Sequence, residues 1–210
     1  MSEYKMIKEA ANGELIEKKS RFIGSVYPVK DESEANAILE KIKKKYWDAK
    51  HNCYAYVIGS NGEISRCSDD GEPSGTAGRP ILAVINGLEI RNVLVVVTRY
   101  FGGVLLGTGG LIRAYTECTQ LAFDAAQIVT LCRGISYELV FDYNFLNPIK
   151  KCLAEYEIRI TDTVYEDKVH ILCAFPMGDD ALNESILQAL ADITGGKTLA
   201  VKKGECEYEK

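Results

Sequence analysis

Val93-Leu94-Val95-Val96-Val97 is a continuous, mostly β-branched run, and a run of this kind reads as a buried strand. The segment "TRYFGGVLLGTGGLIRAY" follows it over residues 98–115. Five glycines fall between Gly102 and Gly110: Gly102, Gly103, Gly107, Gly109 and Gly110. Beyond them Leu111, Tyr115, Cys118, Leu121, Ala122 and Ala125 recur at helical spacing. Strand, glycine loop and helix is the order in which many proteins hold a phosphate. It also serves a tight turn that lets a helix pack on a sheet.

Neither nucleotide motif fits the loop. A P-loop has Lys after its last glycine, and Thr108 stands there when Gly102 and Gly107 set the spacing. The dinucleotide fingerprint accepts Gly107 and Gly109 but meets Ile112 at its third glycine. What remains is a helix start whose backbone N–H groups favour an anion. Arg113 is placed by this reading in the first turn of that helix, where a cation opposes the macrodipole by about 0.3–1 kcal/mol. Two groups can answer it: a carboxylate of the "SDDGE" loop or an external anion.

That acidic loop is "CSDDGEPSGTAGRP", residues 67–80. Asp69, Asp70 and Glu72 put three carboxylates in four positions, a set able to hold Mg²⁺, to move protons or simply to cap turns. Ser74, Gly75 and Thr76 are candidate caps for a helix over about 76–87, marked by Ile81, Leu82, Ile85 and Leu88. If both helix starts lie on one side of a sheet, the two loops frame a single groove with Arg79, Arg99 and Arg113. His51 and Cys53 share one face of a strand, and a structural thiol beside a partly buried histidine is the expected reading. Two histidines exclude a multi-histidine metal centre.

Upstream, "RFIGSVYPV" over 21–29 reads as a strand. Asp31 and Glu34 resemble a capping box ahead of a helix through Ala35, Ile38, Leu39, Ile42 and Tyr46. Lys41, Lys43, Lys44 and Lys45 load the end of that helix, where the macrodipole favours cations; the cluster can also touch nucleic acid. "NCYAYVIG" and "EISRCS" flank Asn61-Gly62, a hairpin signal. Downstream, a strand near 130–141, a helix near 144–155, strands near 157–165 and 168–175, a helix near 179–192 and a last strand in "TLAVKKGECEY" give βαββαβ, the ferredoxin-like arrangement. The expected domains are 1–128 and 129–210.

The 210 residues suit one large or two small domains. Seven scattered cysteines without C-x-x-C support neither a disulfide framework nor a zinc site, and point to reduced thiols in a cytoplasmic protein. No apolar run reaches membrane length, and the first twenty residues lack a signal-peptide core. Charge is uneven. Residues 1–129 carry 16 basic and 16 acidic side chains, whereas residues 130–210 carry 9 and 14. A nucleic-acid surface therefore belongs to a patch of the first part.

"DDGEPSGTAGRPI" followed by "TRYFGGVLLGTGGLIRAY" resembles the IMPACT family, in its bacterial YigZ-type two-domain form. "KKSRFIGSVYPV" and "HNCYAYVIG" extend the match to about residues 15–125, and the βαββαβ tail matches the family's second domain. The resemblance implies an α+β fold. Its first domain is a ribosomal-protein-S-five-type β/α unit similar to domain IV of elongation factor G, and its second is similar to domain V. It implies a translation role: eukaryotic relatives bind, through an added N-terminal domain, an activator of the kinase that senses amino-acid starvation. No such domain is matched here, so the kinase role is not expected to carry over.

The functional expectation is a cytoplasmic, non-catalytic regulator that binds RNA or the ribosome, without a cofactor, a metal or a membrane partner. Arg79, Arg99, Gly102, Gly103, Gly107, Gly109, Gly110 and Arg113 would meet the anion, and Asp69, Asp70 and Glu72 would face them. The alternatives are a small hydrolase or metal-dependent enzyme built on those carboxylates, and a protein-interaction module.

Overall fold

The computed structural model describes residues 3–210, which divide into two compact units, Glu3–Thr130 and Leu131–Lys210.

The first unit is built on a sheet of β2 (Ala11–Glu17), β3 (Ser20–Pro28), β6 (Val93–Tyr100), β4 (His51–Ile58) and β5 (Ile64–Ser68), in that order and antiparallel throughout. The apolar run is therefore the central strand, β6. Side chains alternate across a strand, so β6 feeds two cores. Val93, Val95 and Val97 pack with α2 (Gly78–Gly87) and α3 (Gly107–Asp124). Leu94 and Val96 pack with α1 (Glu32–Lys45) through Ala35, Leu39 and Ile42. The continuous apolar pattern is the consequence of cover on both faces.

Two strands precede the first one expected from the sequence. β1 (Glu3–Ile7) makes a parallel bridge at Lys5 to Ile90, and the whole of β2 pairs with β3, from Ser20 to Val26. Polar composition hid β2, which reads ANGELIE with its apolar side chains only partly covered. Gly13 and Gly24 face each other across β2 and β3. A Cβ on Gly13 would lie 2.6 Å from the Ala122 amide nitrogen, and one on Gly24 2.7 Å from the Cys118 carbonyl. This pair, on the sheet and outside the glycine loop, lets α3 lie against the strands.

Local signals explain the ends of α1. Asp31 Oδ1 accepts from the Glu34 amide at 2.8 Å, and Glu34 reaches back to the Lys30 amide at 2.8 Å, one residue before the expected partner. Asn61-Gly62 lies in the β4–β5 connection, with Gly62 at φ 72°.

In the second unit β10 (Leu199–Glu209), β7 (Ile128–Phe141), β9 (Val169–Pro176) and β8 (Arg159–Tyr165) lie side by side, antiparallel. With α4 (Leu146–Glu155) and α5 (Asp180–Thr194) the chain order is βαββαβ, the ferredoxin-like fold. Leu139, Phe141, Ile171, Phe175, Ile149, Leu153, Ile186 and Leu190 meet in its core. Among the described residues, no helix is long and apolar enough to cross a membrane.

Candidate functional site: a buried polar clamp beneath the glycine loop

The period of a strand sets the position of Arg99. It continues the row Val93, Val95, Val97, so its side chain enters the core beneath α2 and α3. His51 lies opposite it in the β4–β6 register, with Cys53 two residues on. Tyr115 descends from α3, and the loop after β5 brings Glu72 into the same space. Arg99 and Glu72 keep only 6% and 3% of their side-chain surface exposed.

The geometry is a clamp. Arg99 Nη1 donates to Glu72 Oε1 at 2.6 Å, and the Tyr115 hydroxyl donates to the same oxygen at 3.0 Å. Arg99 Nη2 donates to Ser20 Oγ at 3.3 Å, and Ser20 Oγ also accepts from the Gly102 amide at 3.2 Å. The guanidinium carbon lies 5.3 Å from the Phe22 ring centroid and 5.5 Å from that of Phe101. Ion pairing, hydrogen bonds and stacking together make this charge tolerable inside the protein. His51 Nδ1 lies 2.8 Å from the Asp70 backbone oxygen, which only accepts, so Nδ1 carries the proton. His51 Nε2 stands 3.9 Å from Glu72.

The thiol is packed into the clamp. Cys53 Sγ contacts the Asp69 carbonyl at 2.9 Å and the Tyr115 hydroxyl at 3.3 Å. Burial pushes the Cys53 thiol up to about 12, so almost no thiolate exists near neutrality. Burial, and then the neighbouring Cys53 and Glu72, push the Tyr115 phenol well above its ordinary value.

All three loop carboxylates are engaged within the protein. Asp69 accepts from the amides of Gly75 at 2.8 Å, Ala77 at 3.0 Å and Gly78 at 2.8 Å. It therefore closes the start of α2, the role expected of Ser74, Gly75 or Thr76. Thr76 turns its hydroxyl to the Pro73 carbonyl at 2.6 Å instead. Burial pulls the Asp69 carboxyl up, but the N–H groups of Gly75, Gly78 and Ala77 and the charge of Arg79 outweigh it and hold it below the usual value. Asp70 accepts from the Asn52 amide at 2.7 Å, in a left-handed conformation with φ 41°. Glu72 belongs to Arg99. Among the described residues, the His, Cys, Asp and Glu ligand atoms that gather within 4.8 Å of one another belong elsewhere, to Glu166, Asp167 and His170.

The clamp joins the two loops at their roots, and the remaining expected residues stand outside it. Arg79 and Arg113 are exposed. Because α3 begins at Gly107, Arg113 is in its second turn and not its first. The macrodipole acts within the first turn, so the predicted need for a compensating anion at Arg113 falls away. The acidic loop answers Arg99, not Arg113. Gly103 and Gly107 adopt φ 82° and 72°, and a Cβ on Gly103, Gly107 or Gly109 would meet nothing within 4 Å. Gly110 would meet the Leu106 side chain at 3.0 Å. Gly102 differs: its Cβ would lie 2.0 Å from the Lys19 carbonyl carbon, so the β2–β3 turn seats on it. No side chain caps α3 and no acid lies in its first turn. Around it Phe101, Val104, Leu105 and Ile112 are exposed, Leu105 at 83%.

Tyr115 and Ser20 were not foreseen as polar partners. Tyr115 shares the apolar stripe of α3, and only its meeting with an arginine in the core row of β6 reveals the use of its hydroxyl. Nothing local marks Ser20.

The Impact N-terminal domain matches residues 18–123, and a domain of unknown function (DUF1949) matches residues 139–197. The chain is 37% identical over 205 residues to the IMPACT family member YvyE of Bacillus subtilis (strain 168), covering 98% of this chain and 93% of that protein. It is 35% identical over 161 residues to the IMPACT family member YigZ of Escherichia coli (strain K12), covering 76% and 79%. A solved structure described as that of a hypothetical protein superposes with a TM-score of 0.63 at 31% identity, over 96% of this chain and 97% of its own. With both domain matches in order and a relative aligned from end to end, the chain belongs to the IMPACT family.

Proposed function

We propose that this protein is a non-catalytic, translation-associated regulator that acts in the cytoplasm by binding RNA or the ribosome. One observation carries the reading. The acids next to the glycine loop are all turned inward, onto Arg99, the Asn52 amide and the start of α2, while Arg79, Arg113 and the uncapped start of α3 face solvent. An uncapped helix start offers N–H donors to a phosphate, and exposed arginines add charge that needs no desolvation of a partner carboxylate. Family membership supports the translation role that the motifs imply. The same geometry weighs against a hydrolase on Asp69, Asp70 and Glu72, since each carboxylate is already engaged.

The test is an RNA mobility shift with the full chain and with Arg79→Ala/Arg113→Ala. The reading expects a complex whose affinity falls steeply with salt, and a variant that binds at least about fivefold more weakly. Equal binding by both proteins, or none by either, overturns it.

A further inference from the structure

The end of the first sheet where β4 begins and β6 finishes carries two rings that a folded protein ordinarily hides. Trp47, in the turn after α1, is 82% exposed, and Phe101, just past β6, is 43% exposed. The residues next to them are joined: the Tyr100 hydroxyl donates to Asp48 Oδ1 at 2.9 Å. Lys50 Nζ lies 5.6 Å from the Phe101 ring centroid. Aromatic side chains carry large apolar surfaces, and leaving an indole in water forfeits burial that folding would otherwise gain.

Charge surrounds the rings. Lys44 and Lys45 end α1, Lys50 precedes β4, and Lys18 and Lys19 form the β2–β3 turn, all of them exposed. That turn seats on Gly102, the residue after Phe101. The exposed acids of these segments are Glu17, next to the turn, Glu40, which pairs with Lys43, and Asp48, which the Tyr100 hydroxyl holds. The lysines therefore outnumber them.

We propose that this end of the first unit binds single-stranded RNA, with bases stacked on Trp47 and Phe101 and phosphates following Lys18, Lys19, Lys44, Lys45 and Lys50. Exposed flat rings take any base, because every base has a π-face, and interleaved cations track the backbone without reading sequence. A duplex hides its base faces within the stack and cannot use the rings. The inference rests on the reading that the protein binds RNA, and adds to it a strand form and a set of contacts beyond Arg79, Arg113 and the start of α3.

Trp47 is the chain's single tryptophan, so its fluorescence reports this face alone. The full chain is titrated with a fluorescein-free oligouridine, a duplex RNA of equal length, heparin and polyglutamate. Saturable quenching by oligouridine, with much weaker quenching by the other three, is expected. Binding of labelled oligouridine, followed by polarisation, should weaken about tenfold or more in Trp47→Ala, and largely recover in Trp47→Phe. Trp47 is exposed, and unchanged thermal melts of its variants check that they fold. Quenching by heparin, polyglutamate or duplex equal to that by oligouridine overturns the proposal. So does Trp47→Ala binding as tightly as wild type, which places the RNA elsewhere and leaves the functional reading standing. No RNA binding by wild type brings down both.

Discussion

Glu72 accepts a 2.6 Å hydrogen bond from Arg99, and the two side chains are at least 94% buried. The pair ties the acidic loop to the end of the central strand. Removing one partner leaves the other charged and buried, which costs about 3–5 kcal/mol. Arg99→Ala and Glu72→Ala should each lower stability by about that amount in urea unfolding. The double substitution should cost less than the sum, because the partners share one interaction. Additive losses would show that the pair is not the element that holds the loop.

Asp69 closes α2 from nine residues away. Its three amide bonds exceed those of an ordinary cap, whose loss costs about 0.5–2 kcal/mol, so Asp69→Ala should reach the upper end of that range. The sign of the pH dependence follows from its lowered pKa. The unfolded chain takes up the proton first as pH falls, so the contribution is full above the ordinary carboxylate value near 4 and is lost as pH drops through the lower folded value. The stability gap between wild type and Asp69→Asn should therefore narrow at acid pH, as measured by urea unfolding at pH 7 and pH 3.

The thiols sort by burial. Cys67 is exposed, whereas Cys53, Cys118 and Cys173 are buried and pushed up to about 12, in each case first by burial. Brief alkylation of the native protein with iodoacetamide at neutral pH, read by peptide mass spectrometry, should label Cys67 and spare the other three. Early labelling of Cys53 would contradict its place in the clamp.

Glycines of opposite kinds predict opposite outcomes. Gly24→Ala drives a methyl to within 2.7 Å of the α3 backbone and should cost about 1–3 kcal/mol or more. Gly109→Ala meets nothing within 4 Å in the first turn of a helix and should be neutral or slightly stabilising. Thermal melts separate the two.

These positions also show what was legible in the chain. The β-branched run named the central strand because burial on both faces leaves a composition signal. The βαββαβ order was readable because each helix of the second unit repeats its apolar residues at one period. Polar β2 escaped, since only Ala11 and Leu15 of its side chains pack on the core. Arg99, Asp69 and Glu72 were visible as candidates, but their pairing was not, for it depends on which side of β6 an odd-numbered residue faces. Arg113 was misjudged by one helical turn, and that turn removed the electrostatic argument built on it. The glycines were read as one loop, whereas Gly102 is a seat for a neighbouring turn and Gly103, Gly107 and Gly109 are open.

The central claim, that the exposed cationic face of the first unit engages RNA or the ribosome, is tested most directly by cosedimentation with ribosomes through a sucrose cushion. The full chain and Arg79→Ala/Arg113→Ala are compared at rising salt. The account predicts that wild type pellets with ribosomes at low salt and is released as salt rises, and that the variant stays largely in the supernatant. Wild type that stays in the supernatant at every salt concentration, or a variant that pellets as fully as wild type, would contradict it.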